Sequence, residues 1–229
     1  MNVLLIGGSK GIGRSLAVDL ANSGNTVYVL SRTQVEDYPG IVQIEFDVKS
    51  WVWPTDKLPE VLHGFAYLPG SIRLKPFHRL TEEDLLADFD INVMGAVKTL
   101  QHAYPLLKAS GNASVVLFST VAVGQGMTFH SSISASKGAI EGLAKSLAAE
   151  WAPVIRVNVI APSLTDTPLA ESLLSTAAKR EAASQRHPLK RVGSAGDISS
   201  AAKFLLSGES TWISGQVLGV DGGLSSLRM

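Results

Sequence analysis

Short apolar runs alternate along this chain with stretches in which apolar positions recur at helical spacing. The first run, Val3-Leu4-Leu5-Ile6, leads into Gly7-Gly8-Ser9-Lys10-Gly11-Ile12-Gly13 and then into a periodic segment at 15–20. That succession predicts strand, tight turn and helix. Further strands are predicted at 26–30, 41–46, 64–67, 114–118, 155–160 and 216–220, each bounded by glycine, proline, serine or asparagine. Helical spacing is predicted at 132–151 and near 197–206. A longer helix is expected from the capping Thr81 and the acids Glu82-Glu83-Asp84 through Asn92 to Leu107. The link Trp51 to Pro54 is expected to lead into a short helix, and residues 167–186 read as a helical insertion.

Strands alternating with helices predict an α/β fold: a doubly wound (Rossmann), mostly parallel, seven-stranded sheet with helices on both faces. The 229 residues suit a single domain, 1–229, with a substrate-loop insertion at about 167–190. Hydrophobic residues make up 45% and charged residues 17%, a balance that suits a sheet buried on both faces.

Charge narrows the partners. The 20 basic and 20 acidic side chains cancel, leaving no field for nucleic acid or an anionic membrane. The basic cluster Lys179, Arg180, Arg186, Lys190 and Arg191 is expected to be a solvated face. With no cysteine there is neither a disulfide nor a thiolate site, and no metal is expected. No run approaches the roughly 20 apolar residues of a membrane span, and Met1 leads directly into a strand, so a soluble cytoplasmic protein is expected.

The glycine turn carries the first candidate chemistry. At a strand-to-helix junction, residues without a Cβ let phosphates approach the backbone amides, which points to a dinucleotide. Gly7, Ser9, Lys10, Gly11, Ile12 and Gly13 are the candidate contacts. At the end of the second strand, where an acid would accept from a ribose 2′-hydroxyl, stand Ser31 and Arg32. Arginine suits a 2′-phosphate, and with Lys10 it favours NADP, NAD being the alternative. Glu36 and Asp37 nearby bear on the same choice. Asp47, followed by Val48, ends the third strand, where a carboxylate can accept from an adenine amino group or cap a turn. Ser119 and Thr120 stand at the carboxyl end of the fifth strand, where open α/β sheets bind ligands.

On these motifs the chain resembles the short-chain dehydrogenase/reductase family over almost its whole length, nearest in pattern to the 3-oxoacyl-carrier-protein reductase type. Gly7, Gly11 and Gly13 match the family's glycine motif, with Ile6 where a threonine is usual. The ending Ile213-Ser214-Gly215-Gln216-Val217-Leu218-Gly219-Val220-Asp221-Gly222-Gly223 matches too. The resemblance implies an NADP-dependent oxidoreductase acting on a small carbonyl or alcohol substrate. It places Asp47 against adenine, Asn92 at the amide that holds a water in a proton relay, and Lys137, in Ser134-Ala135-Ser136-Lys137, at the active-site lysine. Pro162 and Thr167 fall on the loop that grips the nicotinamide carboxamide, with Ser163 for the usual glycine. Relatives commonly assemble through the helices of the Asn92 and Lys137 segments and the last strand, which implies a homo-oligomer, tetramer or dimer.

Three further family features differ. The substrate-binding serine falls on Thr120, and the Asn-Asn-Ala-Gly signature becomes Tyr67-Leu68-Pro69-Gly70. The tyrosine four residues before the lysine is Ile133, which has no proton to give. Three substitutes are open: His130, seven residues before Lys137; Tyr67; and a water held by Lys137 and Asn92. The alternative is a catalytically impaired NADP-binding protein that acts as a sensor or partner subunit.

Overall fold

The structure is a computed structural model that describes every residue except Val35, Trp51 and Met229. The apolar runs form β1 (Asn2–Ile6), β2 (Thr26–Ser31), β3 (Ile41–Glu45), β4 (Gly64–Tyr67), β5 (Ala113–Phe118), β6 (Ile155–Pro162) and, after two short strands, β9 (Val217–Val220). They lie in the order β3-β2-β1-β4-β5-β6-β9, all parallel. The order reverses at β1, so the carboxyl ends of β1 and β4 open a crevice at the switch point.

Successive strand residues serve opposite layers. Leu4, Ile6, Phe65, Val115 and Val157 pack with Leu100 and Ala103 of α3 (Gly95–Ala109) and Ile140 and Ala144 of α5 (Ser131–Trp151). Val3, Leu5, Val27, Val29 and Val116 pack with Leu16 and Leu20 of α1 (Gly11–Asn22) and Ile198 and Leu205 of α7 (Ala195–Leu206). Strands wanted on both faces must be apolar at every position, hence continuous runs rather than alternation. Two polar residues, the buried Asn158 and the half-buried Arg156, secure the far edge. Asn158 donates to the Ile213 carbonyl at 2.9 Å and accepts from the Gln216 amide at 3.1 Å, and Arg156 spans the carbonyls of Ser207, Ser210 and Ile213.

The structure departs from expectation in three places. The helix predicted from Thr81 to Leu107 is α2 (Glu82–Phe89), a π-helical turn at Asp90–Met94, and α3. Thr81 caps it as expected, in a reciprocal box with Asp84. The insertion is only partly helical: a 3-10 segment at Pro168–Leu173, then α6 (Ala177–Arg186). It is bracketed by the short parallel pair β7 (Thr165–Asp166) and β8 (Gly193–Ser194), whose two-residue length gives no readable period. Past Trp51, which lies outside the described residues, the expected short helix is one 3-10 turn, Thr55–Lys57. The basic cluster is exposed as expected, with Arg180 paired to Asp166 and Arg191 to Asp197. A four-residue helix, α4 (Ala122–Gln125), follows β5. No helix among the described residues is long and apolar enough to cross a membrane.

Candidate active site

Steric necessity is plain at the glycine turn. Gly7 and Gly11 take φ of 86° and 52°, a region that L side chains disfavour. A Cβ on Gly13 would fall 2.3 Å from the Gly7 carbonyl oxygen, backbone that cannot yield. The Gly7 amide donates to Leu30 at the end of β2 (2.7 Å). No side chain caps the start of α1, where Lys10 is extended, so the first amides of the helix face outward, the arrangement a phosphate requires. Ser9 is half-buried, Lys10 exposed, and Ile12 packs on the core. Thr167 lies over this turn: a Cβ on Gly11 would stand 3.2 Å from its Cβ. The loop after β6, with Pro162 at its start, is thus brought from the other half of the sheet to the glycines.

Beyond the turn, Arg32 and Asp47 line one cleft of about 250 Å3 with Phe46 and Ser50. Arg32 is exposed; Asp47 also accepts from the Lys49 amide at 3.0 Å, so it turns the chain while facing the cleft, with Val48 half-buried behind it. Glu45 lines the same cleft, and the outward amides of the glycine turn together with this cleft fit a dinucleotide. The loop at Ser163 is held by His187, a contact that sequence gave no reason to expect. His187 Nδ1 lies 2.8 Å from the Ala183 carbonyl, which only accepts, so Nε2 accepts from the Ser163 hydroxyl at 2.8 Å.

At the end of β5 the two hydroxyls part. Ser119 donates to Glu141 on α5 at 2.6 Å and is buried, whereas Thr120 is half-buried and accepts from the Ala122 amide at 3.3 Å. Lys137 and Ile133 lie one helical turn apart on α5, 9% and 5% exposed, and Ile133 belongs to neither of the two large core clusters. Burial pushes the Lys137 ammonium down to about 8. Asn92 sits in the π-helical turn, 0% exposed. A Cβ on Gly70 would meet Asn92 Oδ1 at 3.3 Å and Lys137 Nζ at 3.6 Å, so amide and ammonium converge where β4 ends.

Of the substitutes for the missing phenol, Tyr67 is engaged elsewhere. Its hydroxyl points away from the crevice and donates to the Ile91 carbonyl at 2.5 Å, a group freed by the π-helical turn. Burial pushes that phenol above its ordinary range. Gly95 makes room, since a Cβ there would overlap the Tyr67 hydroxyl. Tyr67 holds the Asn92 turn, its hydroxyl hydrogen committed to a carbonyl. Tyr67→Phe should lower unfolding free energy by about 1–2 kcal/mol in chemical denaturation, the cost of one unpaired buried carbonyl. His130 is the N-cap of α5, half-buried, and lies outside the helix that was to align it with Lys137. Its Nδ1 is committed to the Thr128 carbonyl at 2.8 Å.

Sequence reasoning missed a buried polar group behind Asn92. Asp88 (1% exposed) accepts from Ser71 at 2.7 Å and from Ser132 at 2.6 Å, and Arg73 Nε is 3.8 Å away. Asn92 Nδ2 donates to Ser71 Oγ at 2.9 Å and to the Asp88 carbonyl at 2.8 Å. Its Oδ1 is buried without a protein partner. The available signal was spacing, because Asp88 precedes Asn92 by one helical turn. At the rim, Lys75 (2.5 Å) and Arg73 hold the Asp84 carboxyl down to about 2, fastening residues 71–76 to α2.

Comparison with known proteins agrees with this architecture. Residues 7–225 match a family profile described as enoyl-(acyl carrier protein) reductase. The chain is 35% identical over 247 residues to a tropinone reductase homologue of Arabidopsis thaliana, covering 98% of this chain and 93% of that one. It is 34% identical to a tropinone reductase homologue of Datura stramonium, covering 97% and 91%. Among solved structures it is similar to the ligand-free aldohexose dehydrogenase of Thermoplasma acidophilum, with a TM-score of 0.88, 28% identity and coverage of 99% and 94%. A parallel seven-stranded sheet with a glycine turn at its switch point, matched over nearly the full length by these relatives, makes the chain a member of the short-chain dehydrogenase/reductase family.

Proposed function

We propose that the protein is an NADP-dependent oxidoreductase that interconverts a carbonyl and an alcohol, with Lys137 taking the place of the missing tyrosine as proton donor. The observation that carries this reading is the convergence of the buried Lys137 ammonium and the unpartnered Asn92 Oδ1 at Gly70. When bound, the nicotinamide supplies hydride to the carbonyl carbon. Lys137 gives one proton to the developing alkoxide: an N–H bond breaks, an O–H bond forms, and the neutral amine regains its proton from solvent. An ammonium brought to about 8 is matched to proton transfer near neutrality. Thr120 steadies the carbonyl oxygen, and Pro162 and Thr167 position the nicotinamide over it.

Lys10 and Arg32 support NADP over NAD. Arg32→Ala should weaken NADPH binding at least tenfold, read by nucleotide fluorescence, and leave NADH binding within about twofold; an equal loss for both would remove Arg32 from the phosphate site. Exposed Leu86, Phe89 and Met94, along α2 and the π-helical turn, support a homo-oligomer built on the Asn92 segment.

The test is NADPH consumption on a panel of ketones, acetoacetyl thioesters and quinones, with His130→Ala beside the native protein. Turnover that persists in His130→Ala supports Lys137; turnover abolished in it assigns the proton to His130. One observation favours the second reading, a cofactor-binding protein without turnover: Ile133 buries an apolar side chain where the phenol would stand. Tight NADPH binding with no turnover across the panel would establish it.

A further inference from the structure

The hydrogen bonds behind Asn92 have a fixed direction. The Asp88 carbonyl only accepts, so the Asn92 atom 2.8 Å from it is the nitrogen, and Oδ1 is turned the other way, toward Gly70, which Lys137 Nζ also approaches. The second Asn92 N–H goes to Ser71, so the Ser71 hydroxyl hydrogen is directed to the Asp88 carboxylate, whose other oxygen takes the Ser132 hydroxyl. Each donor has one acceptor along this path. Only Asn92 Oδ1 remains unpaired, fully buried and aimed into the site. A buried acceptor without a partner costs free energy that a folded chain retains only where something else repays it.

We infer that Asp88 and Ser71 are positioning residues: through Asn92 they aim an acceptor at Lys137 and so orient the ammonium that serves the reacting oxygen. The inference rests on the proposed role of Lys137 for its catalytic meaning, but the arrangement itself is independent of turnover. Ser132 adds the third contact from α5, immediately before Ile133, and ties the helix of Lys137 to that of Asp88. Charged groups on the elements packed around Asp88 include Arg73 and Lys75 from the loop after β4, Glu82, Glu83 and Asp84 on α2, Asp90 in the π-helical turn, and Lys137, Glu141, Lys145 and Glu150 on α5.

The test uses the full chain with 13C-labelled lysine and 15N-labelled asparagine, in native protein, Ser71→Ala, Ser71→Thr and Asp88→Asn. Ser71→Ala leaves every charge in place, so a change in it reports orientation and not lost Coulomb attraction. Its Lys137 titration midpoint should fall by at least half a pH unit, and hydrogen exchange of the Asn92 side-chain amide should accelerate at least tenfold. Ser71→Thr, which keeps the hydroxyl, should restore both to within threefold or 0.2 pH unit. On any ketone the native protein reduces, kcat should fall at least tenfold in Ser71→Ala with KM and NADPH affinity within twofold. An unmoved midpoint and unchanged amide exchange in folded Ser71→Ala would overturn the inference. Should Asp88→Asn fail to fold, the Ser71 pair decides alone. A shifted midpoint in a protein that reduces none of the panel would keep the positioning role and sink the proposed reaction.

Discussion

Lys137→Met is expected to remove most turnover and to make the protein more stable. The buried ammonium titrates at about 8 against an ordinary 10.5, because burial penalises its charge. A folded-state value below the unfolded one means that the unfolded chain binds the extra proton between those two values. The full cost is therefore present below pH 8, on the order of 3 kcal/mol at about 1.4 kcal/mol per unit, and it is relieved as pH rises from 8 to 10.5. Methionine has a similar length and no charge. At pH 7 the variant should melt about 6–12 °C higher, at roughly 2–4 °C per kcal/mol for a chain of this size, and the gain should shrink toward pH 10. Loss of a positioned acid costs about 10²–10⁴ in rate. The reductive rate of the native enzyme should correspondingly decline above about pH 8. Melting curves at the two pH values and kcat on one reduced ketone check both halves; a less stable or fully active Met variant would contradict the role given to Lys137.

Ile133→Tyr is expected to raise kcat by about 10²-fold, within the range a positioned general acid supplies. Position 133 is one turn before Lys137 on the same face of α5, so a phenol placed there meets the ammonium, which lowers the phenol's pKa. Added volume at a site only 5% exposed sets a cost of about 1–3 kcal/mol, visible as a lower melting temperature. The gain should vanish in the double variant with Lys137→Met, because the two groups act as a pair. A folded Ile133→Tyr with unchanged kcat would show that the reacting oxygen does not lie at this turn of α5. Activity appearing only in the variant would favour the cofactor-binding reading of the native chain.

Ile133 and Lys137 also illustrate what local spacing can settle. Resemblance to the family singled them out, and spacing added that they share a face, because a helix brings residues four apart to the same side. The glycine turn was legible for a similar reason: Gly13 has no alternative within 2.3 Å of a carbonyl, and that constraint is written into the residue itself. The doubly wound sheet followed from runs such as Val3 to Ile6, apolar at each position because both faces are covered. Tyr67 stayed open because strand position gave its end of the sheet but not its direction. Its hydroxyl went to a carbonyl released by a π-helical turn, and nothing in the apolar period of residues 81–107 announces that extra residue.

By itself, then, the sequence determined the sheet and the switch-point turn, since each depends on period or on backbone sterics within a few residues, and it put positions 133 and 137 on one helix face once resemblance had singled them out. Tertiary structure alone decided that Ser71, Asp88 and Ser132, from a loop and two helices, share one carboxylate and turn the Asn92 oxygen toward Gly70. Hydrogen bonds between side chains distant in sequence have no period, and their direction exists only once burial has removed water as the competing partner.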